Sequence, residues 1–210
     1  MMARGGRTYI LCHGMDRAKL VLLCILAAVA CLFLARPDVM QTVRSDITGK
    51  EYSVRRAPDS QHVADRLAML EVRLGTLLDH AARTMPQDPR IAAIRSKWDG
   101  TLSEVQTTED VAFSVDKSSI HVCVRHRNGH IEDLNATMFV LIHELAHVAT
   151  RDYGHSPEFW ANMRFLLELA ERAGVYRYEN HESATFCGHP LGASPLTCVK
   201  NRTCTSTLAA

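Results

Sequence analysis

His143-Glu144-Leu145-Ala146-His147 is an HExxH stretch. On a helix, residues four apart stand one turn apart on the same face, so His143 and His147 converge on one point, as two zinc ligands must. Glu144 is offset by about 100° and can reach a water held at the metal, which makes it the candidate general base. Phe139 to Ile142 precede the motif, and Leu145, Ala146, Val148 and Ala149 surround it. Such a helix is apolar nearly all round and is expected to be buried. Two imidazoles and a carboxylate are costly there without a compensating partner, and a metal supplies one.

A catalytic zinc needs a third protein ligand and one open position. His155 is the first candidate, because Tyr153-Gly154 before it allows a tight turn that doubles the chain back over His143 and His147. Glu168 and Glu171, reaching back from the next helix, are competing ligands. Asp152 is a further one, or a group that orients a ligand histidine. Tyr176 and Tyr178 could donate to an oxyanion, but packing or exposure is the preferred reading of each. The remaining histidines read as surface or hydrogen-bonded residues.

Several elements must position this helix. Val63, Leu67, Leu70, Leu74, Leu77 and Leu78 recur at helical spacing over 61–84, and Pro86 ends that helix. Asp88-Pro89 pairs an N-cap with a proline at the first helical position and opens a short helix to about Trp98. Strand character follows at 101–106, 111–115 and 119–126, and Asn128-Gly129 marks a turn. Asp133 or Asn135 can cap the HExxH helix, and Ser156-Pro157 caps the next, which ends at Gly174. The order is two helices, a small sheet, two helices and an irregular tail, an α+β pattern.

The 210 residues carry a net charge of +1 with no long Lys/Arg run, which gives no reason to expect nucleic acid as a partner. Leu20 to Ala35 carries no charge and is bracketed by Lys19 and Arg36. With the basic residues before it, this segment predicts a signal anchor at 18–36, a cytosolic tail at 1–17 and a lumenal or extracellular domain in type II orientation. A cleaved signal with Ala28-Val29-Ala30 as its site is the rival. Residues 37–60 read as a linker, 61–195 as the domain and 196–210 as a tail. Cys123, Cys187, Cys198 and Cys204 allow two bridges in three pairings, with one local bridge expected within 187–204. Asn135-Ala136-Thr137 and Asn201-Arg202-Thr203 are glycosylation sequons.

His143 to Trp160, HELAHVATRDYGHSPEFW, resembles the WLM family of metallopeptidases and, more distantly, the SprT-like group. His143, Glu144, His147, His155, Phe159 and Trp160 carry the resemblance, which spans about residues 100–195. Forms with such flanks occur in large DNA viruses and algae. The resemblance implies a minimal zincin-like core, with a small mixed sheet and the HExxH helix, placed here behind an N-terminal membrane helix. It also implies that Ser119 to Arg125 forms the edge strand beside the cleft, where an extended substrate can add. The expected function is zinc-dependent hydrolysis of protein or peptide substrates by a membrane-anchored enzyme. The alternative is a non-catalytic anchored zinc-binding interaction module.

Overall fold

The computed structural model describes residues 39–197 apart from Thr108 and Arg127, together with Val21, Leu22, Ile25 and Leu26. Among the described residues no helix is long and apolar enough to cross a membrane. This corrects the membrane helix expected at 18–36 and, with it, the single-pass type II placement. As a helix, an uncharged run of 16 residues would span only about 24 Å, against about 30 Å of hydrocarbon core. Val21, Leu22, Ile25 and Leu26 are helical, and the rest of that segment lies outside the described residues.

From residue 39 onward the fold is mixed α/β. Strands β1 (Met40–Arg44) and β2 (Glu51–Arg55) form an antiparallel hairpin. It occupies the stretch read as a linker and is built on alternation: Tyr52 and Val54 are buried, while Glu51 and Arg55 are less so. Helix α1 (Ser60–Thr84) lies where its leucine spacing predicts, with Val63, Leu67, Leu70, Leu74, Leu77 and Leu78 all buried. Helix α2 (Pro89–Lys97) opens on Asp88, whose carboxylate accepts from the Arg90 amide.

Strands β3 (Thr101–Glu104), β4 (Ala112–Val115) and β5 (Ser119–Val122) form one sheet in the order β3-β5-β4. β3 runs parallel to β5 and β4 antiparallel to it. β5 is therefore central and β4 is an edge, which corrects the expectation that Ser119–Arg125 borders the cleft. A hairpin turn through Asp116 and Lys117, both at positive φ, joins β4 to β5, and β3 occupies the other side of β5, which leaves β4 outside.

Helices α3 (Leu134–Ala149) and α4 (Pro157–Arg172) follow. The Asp133 side chain caps α3 by accepting from the Asn135 and Ala136 amides, and the Ser156 hydroxyl caps α4 by accepting from the Phe159 amide. β6 (Thr185–Phe186) and β7 (His189–Pro190) make a short C-terminal hairpin. Cys187, in its turn, is bonded to Cys123 at the end of β5, 64 residues away. Cys187 is thereby excluded from the local bridge expected within 187–204, because docking of Phe186 in the core brings Cys187 to Cys123. Cys198, Cys204 and Asn201 lie outside the described residues. The Asn135 amide exchanges hydrogen bonds with the Arg177 backbone at 2.8 and 2.9 Å, so a glycan on its nitrogen would displace that contact.

Beneath β2 and β3 lies a buried charge network. Glu104, fully buried, accepts from Arg55 and Arg125, and Arg125 also pairs with Asp59. A buried carboxylate is tolerated only when paired and hydrogen-bonded in this way. The network ties the N-terminal hairpin to the central sheet.

Candidate metal centre

Helix α3 is nearly all core: Phe139, Leu141, Ile142, Leu145, Ala146 and Val148 are among its buried residues. Its C-terminal end is fixed by side chains from three other elements. The Lys97 ammonium donates to the Val148 carbonyl at 3.2 Å and the Lys117 ammonium to the Thr150 carbonyl at 2.7 Å. Cations at a helix C-terminus satisfy carbonyls that have no partner within the helix. Asn162 of α4 donates to the Thr150 hydroxyl, which itself donates to the Ala146 carbonyl. The chain then turns through Gly154, at φ +81°, a conformation that favours glycine. That turn carries His155 back over α3.

The structure brings His143, His147 and His155 together, and these three residues can hold a metal ion. Nε2 of His143 lies 3.2 Å from Nε2 of His147 and 3.1 Å from Nε2 of His155. Ligand bonds of about 2.0–2.1 Å at tetrahedral angles put such nitrogens about 3.3 Å apart. The donor set fits for a second reason. One lone pair on His143 Nε2 can accept only one proton, yet two other imidazole nitrogens face it. A single cation satisfies all three.

Phe159 is the post on which the rings rest. It is fully buried, and its ring centroid lies 4.8 Å from His143, 4.3 Å from His147 and 4.7 Å from His155. Trp160 flanks His155 at 5.6 Å. Phe159 lies in the stretch from His143 to Trp160, but its simultaneous contact with three rings depends on how α4 crosses α3.

The electrostatics suit metal binding. Burial, followed by the neighbouring His147 and His155, holds His143 down at about 3. Burial, then His155 and Lys117, holds His147 at about 4. Both rings are therefore neutral at physiological pH, with lone pairs available. Glu144, itself buried, is pushed up by that burial to about 7. A divalent cation beside it would draw that value down again.

Two clefts flank the triad. One, of about 200 Å³, opens onto His143 and Glu144, and the other, of about 490 Å³, opens onto His147. β4 contributes to both: Ala112 lines the first and Ser114 the second.

Other sequence candidates lie elsewhere. Glu168 pairs with Arg164 along α4, and Glu171 accepts from the Tyr178 amide. Neither belongs to the metal-binding group found among the described residues. Asp152 lines the larger cleft beside His147. Tyr176 is buried with its hydroxyl 3.4 Å from His181, and the Tyr178 hydroxyl donates to Thr197. Both hydroxyls thus have partners outside the triad. His121 stacks on Phe113.

No family model matches the chain, and no solved structure matches it. Its relatives are viral. An uncharacterized protein of Acanthamoeba polyphaga mimivirus, R325, is 28% identical over 178 residues, which covers 80% of this chain and 90% of that protein. Protein 042R of Invertebrate iridescent virus 3 is 41% identical over 66 residues, 31% of this chain and 42% of that one. Protein 136R of Invertebrate iridescent virus 6 is 25% identical over 128 residues, 59% of this chain and 70% of that one.

Proposed function

We propose that this chain is a zinc-dependent peptidase of the WLM type, hydrolysing peptide bonds in protein or peptide substrates. The observation that carries the reading is the convergence of the His147 and His155 Nε2 atoms at 3.1–3.2 Å from that of His143, with a buried glutamate next to His143 in sequence and a cleft open to both. Zinc is the metal proposed, because three imidazoles form a common catalytic zinc donor set that leaves a fourth position for water or substrate. Held there, zinc supplies Lewis acidity and makes water a nucleophile near neutral pH.

The chain's own residues do the rest. His143, His147 and His155 present lone pairs and fix where the scissile carbonyl must lie. Glu144 accepts a proton from the attacking water and delivers it to the departing amine nitrogen. Phe159 keeps the three rings from turning. The clefts on either side leave room for chain to extend in both directions from the reacting bond.

A purely structural site gains nothing from a buried acid beside its ligands, so Glu144 favours the enzyme over a non-catalytic zinc module. The test is Glu144→Gln in the zinc-loaded chain, measured by casein and peptide-library cleavage together with metal content. The reading predicts full zinc with cleavage lost. Wild-type cleavage by the variant removes Glu144 from the mechanism.

A further inference from the structure

The smaller cleft has a composition that the metal centre does not require. Its walls are Val111 and Ala112 from the start of β4, Phe139 and Val140 from α3, and Pro190 and Leu191 from the C-terminal hairpin. Among its lining side chains only those of His143 and Glu144 are polar. A cavity of about 150 Å³ lined by aliphatic and aromatic groups accepts a benzene-sized molecule. At about 200 Å³ this cleft takes one aliphatic or phenyl side chain.

The third wall comes from far along the chain. Leu191 is held by its amide, which donates to the Ala184 carbonyl at 3.1 Å. The hairpin is fixed in turn by the Cys123–Cys187 bond, by the Cys187 amide donating to Glu132 at 2.7 Å, and by the fully buried Phe186. Without this hairpin the cleft would be an open apolar surface on α3 and β4.

β4 supplies the direction of the occupant. The Cys123 amide donates to the Val111 carbonyl, so in the antiparallel pairing of β4 with β5 the alternate residues Ala112 and Ser114 turn their backbone groups to the open edge. A peptide added along that edge passes the smaller cleft at Ala112 and the larger cleft at Ser114, with the triad between. Glu144 protonates the departing amine, so the residue carrying that amine lies on the Glu144 side.

We infer that the disulfide-held C-terminal hairpin is a specificity wall: with Leu191 it closes a pocket that selects peptides bearing an aliphatic or phenyl side chain just after the scissile bond. This rests on the peptidase reading and names its substrate class. Leu191 is a specificity residue, not a catalytic one, since it lies on the pocket wall and is not among the metal-binding residues.

The experiment uses the full zinc-loaded chain and peptides that differ only at that position, carrying Leu, Phe, Ser, Asp or Lys. The wild type is expected to favour Leu and Phe over Ser by about tenfold or more in kcat/KM, the discrimination an apolar pocket supplies. Leu191→Asp is expected to bring the ratio near one with zinc content unchanged. Leu191→Phe, which keeps the wall apolar, is expected to shift the preference from Phe toward Leu. Replacing Cys123 and Cys187 together by Ser is expected to lower the same ratio through KM more than through kcat. Binding of the same peptides to zinc-loaded Glu144→Gln, read by fluorescence anisotropy, reports the pocket without turnover. Cleavage without side-chain preference, or a preference that Leu191→Asp leaves intact, overturns this inference and leaves the peptidase reading standing. Apolar-selective binding with no cleavage by the wild type refutes the peptidase reading and keeps the pocket. Neither binding nor cleavage overturns both.

Discussion

Replacing Phe159 by Leu tests whether the imidazoles are held by packing. The ring touches all three histidines at centroid distances of 4.3–4.8 Å. Aromatic pairs contribute about 0.5–1.5 kcal/mol each beyond burial, so losing three costs at most about 1.5–4.5 kcal/mol. Leu refills part of the volume and keeps the site apolar, which places the expected loss of stability near the lower end, at about 1–3 kcal/mol. The larger consequence is for the metal. Loss of a supporting partner behind metal ligands costs about 10–100-fold in affinity, equivalent to about 1.4–2.7 kcal/mol less stabilisation at saturating zinc. Urea melts of metal-free and zinc-loaded protein, with chelator competition for the dissociation constant, separate the two effects. A variant that is destabilised but binds zinc as tightly as the wild type refutes the argument, and Phe159 is then core and nothing more.

Two more predictions follow from the same geometry. His155→Ala is expected to remove most of the bound zinc while leaving the fold intact, because His155 is exposed and its loop is anchored by Lys117 and Asn162 on Thr150; undiminished zinc content moves the third ligand elsewhere. In the metal-free chain, His143 and His147 are held at about 3 and 4, below their ordinary 6.5, so the unfolded chain binds more protons across that window. Their contribution is complete above about pH 6.5 and is lost as pH falls through 4 and 3. Glu144, raised from 4.5 to about 7, acts in the opposite sense, contributing fully below about pH 4.5 and losing that contribution as pH rises through 7. Two histidines outweigh one glutamate, so metal-free melting temperatures are expected to fall from pH 6.5 to 4.5 and more steeply below. A flat or rising profile on acidification contradicts this.

The parts of this molecule legible in its sequence are those set by local rules. The leucine spacing of α1, the Asp88-Pro89 and Ser156-Pro157 starts and the four-residue step from His143 to His147 each depend on neighbours along the chain. Gly154 also announced its turn. What stayed hidden depends on partners far away. Strand order is one such feature: Ser119–Val122 and Ala112–Val115 have similar patterns, and only the pairing of the distant β3 with β5 leaves β4 outside. Cysteine pairing is another, since Cys187 reaches Cys123 only because Phe186 is docked in the core. The β1–β2 hairpin was obscured because its buried residues, Tyr52 and Val54, are few and stand among charges. The apolar run at 20–35 misled for a different reason: composition signalled a membrane segment, but its length fell short of one.

The most direct test of the account is the zinc K-edge absorption spectrum of the loaded full chain. Three imidazole nitrogens and one further light scatterer, all at about 2.0–2.2 Å, are the expected first coordination sphere, and the His143→Ala variant should lose it. Sulfur scatterers near 2.3 Å, or a chain that takes up no zinc while folded, would contradict the three-histidine centre and the hydrolysis built on it.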